Sequence, residues 1–179
     1  MGRAEGLLLA AGAGRRMGTP KALVEDWLPR AVAVLRDGGC AHVTVVLGAA
    51  ADRARERVPE GVAVVIADDW DQGMSASLRA GLVALGQDVD AALVLLVDLP
   101  DLPPAVVDRV LSGGVTGSAL RRASYRGRPG HPVLIGRDHW PGVAEAARGD
   151  TGARDYLAAH DHELVECGDL ASGEDVDAR

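Results

Sequence analysis

Residues 7–21 read LLLAAGAGRRMGTPK. The run Leu7-Leu8-Leu9-Ala10-Ala11 has no polar member, as expected of a strand buried on both faces. It then breaks into Gly12, Gly14 and Gly18, the pair Arg15-Arg16, and Pro20-Lys21. Glycines let a backbone approach an anion and turn its N–H groups inward, and Arg and Lys supply positive charge, so the stretch suits a phosphate cradle. The glycines are spaced G-x-G-x-x-x-G, one residue longer than the dinucleotide fingerprint, and no G-x-x-x-x-G-K-[ST] occurs. On spacing alone, a tight turn carrying two solvated arginines explains the stretch as well.

The rest of the chain bounds the problem. It has 179 residues, enough for one domain with a sizeable core, and the expected organisation is a single domain over 1–179. With no Phe, three Trp and two Tyr, that core must be mainly aliphatic. The net charge of −7 argues against a nucleic-acid coat or an anionic membrane surface, but not against a small anionic substrate met by a local cluster of basic residues. Cys40 and Cys167 lack metal-ligand spacing and make no disulfide framework. There is no signal-peptide pattern and no apolar run long enough to span a bilayer, so the expected setting is the cytoplasm, with neither membrane nor nucleic acid as partner.

Apolar runs alternate with helical patterns along the chain. A helix from about Leu28 to Arg36 is followed by a strand from His42 to Leu47, a helix from about Ala50 to Arg57, and a strand from Val62 to Ile66. Such alternation predicts parallel pairing with right-handed crossovers. A helix capped by Ser75 or Ser77 and reaching about Leu85 precedes the most apolar run, Ala91 to Val97, which should be the central strand. Pro103-Pro104 opens a further helix, ended by Gly113-Gly114. Beyond it the pattern predicts a strand from Ser118 to Tyr125, a basic loop Arg126–His131 and a short strand Pro132–Ile135. Short helices follow near Pro141–Ala147 and Ala153–His160, then a last strand Glu163–Glu166 and a polar tail. The expected fold is a three-layer, Rossmann-like α/β domain with a mostly parallel sheet.

Asp98 stands where the central strand emerges, at the edge where open α/β sheets bind ligands. A carboxylate there can hold Mg²⁺, which takes oxygen ligands and bridges phosphates. A turn aspartate before prolines is the bland alternative.

The segment Leu9-Ala10-Ala11-Gly12-x-x-x-Arg16-Met17-Gly18-x-Pro20-Lys21 closely resembles the signature loop of the MobA/MocA-like nucleotidyltransferases, which wraps the triphosphate of an NTP. Asp98-Leu99-Pro100 is similar to the family's metal-holding D-x-P, and Asp175-Val176-Asp177 to its D-[IV]-D, whose second acid approaches the same metal. Trp70-x-x-Gly73-Met74-x-x-Ser77-Leu78-Arg79-x-Gly81-Leu82 resembles the block forming the base and ribose pocket, although Ala67 stands where the family often has Asn, leaving Asp68 or Asp69 to supply a polar contact. Arg128-Pro129-Gly130-His131-Pro132-Val133 and Gly149-Asp150-x-Gly152-Ala153-Arg154 resemble acceptor-side segments, with His131 read as an anion-site residue beside two arginines. An amphipathic helix accounts for the first of these three blocks, and an ordinary helix start for the last. Between Lys21 and Trp27 the chain departs from the family, with VEDWLPR replacing a longer Gly-containing segment.

The resemblance implies Mg²⁺-dependent nucleotidyl transfer from an NTP to a phosphorylated small-molecule acceptor of the molybdopterin type. Arg16, Lys21 and Asp98 would be catalytic. Leu9, Ala10, Ala11, Gly12, Gly14, Arg16, Lys21, Ser77 and Gly81 would bind the nucleotide. Asp98 and Asp177 would hold the metal, and Arg128, His131 and Asp150 would face the acceptor. Leu-Ala-Ala-Gly favours CTP, as in the cytidylyl-transferring branch, over GTP, and a further enzyme would receive the product. A guanylyltransferase and a non-catalytic nucleotide-binding module remain the alternatives.

Overall fold

The computed structural model describes residues 2–176. The strands are β1 (Ala4–Ala10), β2 (Val43–Leu47), β3 (Ala63–Ile66), β4 (Ala91–Leu96), β5 (Leu120–Tyr125), β6 (Arg128–Gly136) and β7 (Glu163–Glu166). The helices are α1 (Trp27–Asp37), α2 (Ala51–Arg55), α3 (Met74–Ala84), α4 (Pro104–Ser112), α5 (Trp140–Ala146) and α6 (Arg154–Ala159). One sheet joins all seven strands in the order β3-β2-β1-β4-β6-β5-β7. β1 pairs in parallel with both β2 and β4, whereas β6 runs antiparallel to both β4 and β5. This is the three-layer, mostly parallel α/β architecture expected.

The layers follow from the period-two alternation of strands buried on both faces. Leu8 and Ala10 pack with α1 and α4 on one side, through Leu28, Leu35, Val106 and Val110. Leu7 and Leu9 pack on the other with α3, α5 and α6, through Leu78, Leu82, Val143 and Leu157. Gly81 on α3 faces Leu7 and Val46, and a Cβ there would lie 2.7 Å from Leu7 Cδ1. The absence of a side chain there lets the helix approach the sheet, and Gly81 is not in the lining of the cleft described below. In the departing segment after Lys21, Trp27 opens α1 with 1% of its surface exposed, so an aromatic anchor stands there.

The predicted basic loop Arg126–His131 is mostly strand. Only Arg126 and Gly127 lie between β5 and β6, at φ 54° and 81°, as a two-residue hairpin turn requires. Arg128 to His131 already belong to β6. Composition read R-G-R-P-G as a loop, but Pro129 pairs with Ser124 beside an irregularity in the ladder, one of the few places a sheet tolerates proline.

Glu166 ties this turn to the chain's end. It accepts the N–H groups of Gly127 and Arg126, each at 2.9 Å, and of Gly168 at 2.6 Å. Those N–H groups, Gly127 first, hold its carboxyl down to about 2. A depressed carboxyl contributes stability that is complete above its unfolded value and is lost as pH falls through the folded one. Glu166→Gln should therefore lower the melting temperature at pH 7, and the gap from the parent should close between about pH 4.5 and 2 in a melting series across pH.

The tail after β7 is packed as well. Arg109 Nη1 and Nη2 hold the Asp169 carboxylate at 2.6 and 3.0 Å, and Leu170, Ala171 and Val176 rest on the core. Asp177 lies outside the described residues.

Candidate active site

The sheet changes direction of winding between β1 and β4: from β1 the chain proceeds outward to β2 and β3, then returns to β4 on β1's other side. Their carboxyl ends diverge into separate loops there, which opens a crevice. The loop after β1 turns tightly, the N–H groups of Met17 and Gly18 both bonding to Gly14 O at 3.0 and 2.9 Å. A cleft of about 460 Å³ results. Its lining includes Leu9, Ala10, Ala11, Gly12, Gly14, Arg16, Lys21, Ser77, Asp98 and Asp150, so ten of the expected residues meet around one space.

Gly14 is held at φ 63°, and a Cβ there would run into the Thr19 carbonyl. Gly14→Ala should deform the loop at a backbone cost of about 1–2 kcal/mol for the left-handed conformation alone. The expected result is weaker triphosphate binding in a titration, with the far strands unaffected by hydrogen exchange.

Lys21 starts a short 3-10 turn, Lys21–Leu23, whose other two residues are buried. Its Nζ donates to Asp98 Oδ2 at 2.8 Å, with side chains 19% and 12% exposed. Asp98 Oδ1 is buried and has no hydrogen-bond partner among the described residues. Burial raises the Asp98 carboxyl above its ordinary value, Lys21 opposes that rise, and Asp175 adds to it. Asp98 is thus no exposed strand-end acid but a nearly buried one. The tail reaches the same place: Val176 N–H donates to Asp98 O at 2.9 Å. Asp175 is a described acid whose charge reaches Asp98.

The opposite lining comes from the start of α3. Neither Ser75 nor Ser77 caps that helix. Gly73 is its N-cap residue, and the turn 149–152 is fastened across it. Asp150 Oδ1 accepts Met74 N–H at 3.3 Å, Gly149 O accepts Ser75 N–H at 2.9 Å, and Ser75 Oγ accepts Gly152 N–H at 3.1 Å. Asp150 thereby positions the cleft wall as well as lining it. From the segment before α3, not Asp68 and Asp69 but Asp71 and Gln72 line the cleft. No residue spacing signalled them, because they enter through a 3-10 turn, Trp70–Gln72.

Arg128 and His131 do not line this cleft. Arg128 is exposed, its Nη2 3.8 Å from Glu174 Oε1. His131 sits on β6, two residues before Val133, which pairs with Val94 of β4. Burial, and then the Arg122 charge, hold its imidazole down to about 4. A neutral imidazole at physiological pH offers an anion no charge, so its contact with one would be a hydrogen bond.

The site has the parts that handling a nucleoside triphosphate requires, and the sequence agrees. The chain belongs to the MobA-like NTP transferase family, whose domain model matches residues 6–164. Across 191 aligned residues, 96% of this chain and 91% of the relative, it is 38% identical to nicotine blue oxidoreductase of Paenarthrobacter nicotinovorans. Rv0371c of Mycobacterium tuberculosis H37Rv superposes with a TM-score of 0.83 at 27% identity, over 99% of this chain and 94% of that one. A structure of Rv0371c in complex with manganese gives a TM-score of 0.75 at 26% identity, over 92% and 87% of the respective chains.

A divalent cation fits the Asp98 site on chemical grounds. A buried carboxylate oxygen has no hydrogen-bond partner among the described residues, a second carboxylate is near enough to be felt, and carboxylates are the hard ligands such ions take. Among the described residues no group of three or more His, Cys, Asp or Glu is arranged to hold a metal.

Proposed function

We propose that the cleft transfers a nucleotidyl group, CMP from CTP in first preference, to a phosphorylated small-molecule acceptor of the molybdopterin type, in the cytoplasm and within one domain. The observation that carries this reading is the meeting of the glycine-rich loop, Lys21 and a nearly buried Asp98 at the carboxyl ends of β1 and β4. An acceptor phosphate oxygen attacks the α-phosphorus, the bond to the bridging oxygen of the β-phosphate breaks, and pyrophosphate leaves. Such a reaction needs alignment and charge neutralisation more than a protein nucleophile.

Loop N–H groups from Ala10 to Gly14 would bind the phosphates. Arg16 and Lys21 would neutralise charge shifting toward the leaving pyrophosphate. Asp98, with Asp177 from outside the described residues, would hold Mg²⁺, which supplies Lewis-acid polarisation of the phosphates when bound. Arg128 and His131, in the first half of β6, would meet the acceptor as hydrogen-bonding groups. The product would pass to an enzyme that uses the nucleotide-linked cofactor.

Binding can be read without knowing the acceptor, since a ligand that binds only the folded state raises its apparent stability. CTP with Mg²⁺ should raise the melting temperature most among the four NTPs. A GTP preference would move the reading to guanylyl transfer. Stabilisation without any pyrophosphate release would leave a nucleotide-binding module.

The 38% identity to nicotine blue oxidoreductase favours one further reading, an oxidoreductase built on this fold. Bleaching of nicotine blue by a reduced nicotinamide dinucleotide, without pyrophosphate release, would establish that reading over transfer.

A further inference from the structure

The Lys21–Asp98 pair has a consequence for how ligands enter the cleft. The ammonium lies 2.8 Å from Asp98 Oδ2, on the carboxylate assigned above to the cation, and both side chains are largely withdrawn from water. A divalent cation arriving alone must compete with that ammonium and leave it beside a second positive charge. A triphosphate arriving alone draws the ammonium toward itself and leaves a nearly buried carboxylate facing an anion. Removing the ammonium leaves a nearly buried carboxylate uncompensated, which is costly, whereas exchanging the ammonium for another cation keeps that charge paired. Arriving together, the two ligands give every charge a partner: the carboxylate keeps a cation and the ammonium gains the phosphates.

We propose that Lys21 is an exchangeable internal counter-ion, which occupies Asp98 in the ligand-free protein and is handed to the triphosphate when a divalent cation takes its place. The proposal rests on the reading of the cleft as a metal-dependent NTP site, and concerns how that site is kept shut to metal alone. The orphaned Asp98 Oδ1 is the oxygen from which a cation can start the exchange, since Oδ2 is taken. The coupling so created is reciprocal between the two ligands.

The direct test is Mn²⁺ binding to the nucleotide-free protein, followed by electron paramagnetic resonance of the free ion. This separates the effect from chelation of metal by nucleotide in solution. Lys21→Gln should bind Mn²⁺ at least about tenfold more tightly than the parent, within the usual range of coupling between sites. Lys21→Arg keeps the charge on Asp98 and should bind as weakly as the parent. Lys21→Gln combined with Asp98→Asn should lose the gain, Asp98→Asn alone is measured beside them, and melting curves of all five proteins check that each is folded. Equal Mn²⁺ affinity in the parent and Lys21→Gln, with a loss in Asp98→Asn alone, would overturn the exchange and leave the metal site standing. Absence of Mn²⁺ binding from every variant, with CTP present as well, would overturn the metal reading and the exchange together.

Discussion

Asp98→Asn should cost at least about a hundredfold in nucleotidyl transfer, on the scale of losing one preorganised electrostatic contact, and yet raise the melting temperature of the ligand-free protein. The two effects share a cause. Asp98 is only 8% exposed, and burial outweighs Lys21 in setting its carboxyl above the ordinary value. A folded state that raises a carboxyl's pKa binds the proton more tightly than the unfolded chain does. Stability therefore falls as pH rises from the unfolded value through the folded one, and above that window the full cost of holding the charge is present. Asn has the neutral form's shape and no charge to bury. The parent and Asp98→Asn should melt alike at low pH, and the variant should gain as pH climbs past the raised carboxyl. Stability given up at a functional group is a common trade-off. A lower melting temperature for Asp98→Asn at neutral pH would contradict this account of the carboxylate.

Lys21→Ala should be equally damaging to transfer, by about a hundredfold to a thousandfold, because it removes a cation from where negative charge shifts. Its effect on stability differs from that of an ordinary surface lysine, whose loss stays within about 0.5 kcal/mol. Asp98 would be left nearly buried and without the ammonium that now lies 2.8 Å away. The cost should stay below the roughly 3–5 kcal/mol of a fully buried broken pair, because the cleft admits some water. It should also disappear when Asp98 is neutral, either at low pH or in the double variant Lys21→Ala with Asp98→Asn. Lys21→Arg should retain the ion pair but not the fit of a compact ammonium among phosphates, giving near-parental stability with reduced turnover. A thermal-shift cycle over the four proteins, run beside a turnover assay, checks both halves. Equal melting temperatures and equal turnover for the parent and Lys21→Ala would remove Lys21 from the mechanism.

Much of this architecture is legible in the sequence because buried parallel strands have a simple signature. LLLAA and AALVLLV read as two-faced strands, and they prove to be β1 and β4, the neighbours that frame the cleft. Placing the loop after one beside the aspartate after the other then follows from parallel pairing. The failures have physical causes of their own. Local composition made a loop of residues 126–131, where a hairpin needs only two residues at positive φ and the ladder absorbs a proline. Gly81 matched a motif, but packing against Leu7 accounts for it. The burial of Asp98 was not legible either, because it depends on Lys21, 77 residues earlier in the chain, and on the tail at Val176 arriving at one point. Nor did pattern announce that Asp150 would hold the start of α3, since that bond joins residues 76 positions apart.

If this cleft joins a nucleotide to a phosphorylated acceptor, pyrophosphate must be released as the two combine. The assay sets each of the four NTPs with Mg²⁺ against a panel of phosphorylated acceptors that includes a molybdopterin-type phosphate, with the parent protein and Asp98→Asn side by side. The account predicts acceptor-dependent pyrophosphate release by the parent, greatest with CTP, and reduced at least about a hundredfold by Asp98→Asn. Release that is indifferent to Asp98→Asn, or no release from any pair while nicotine blue is reduced, would contradict it.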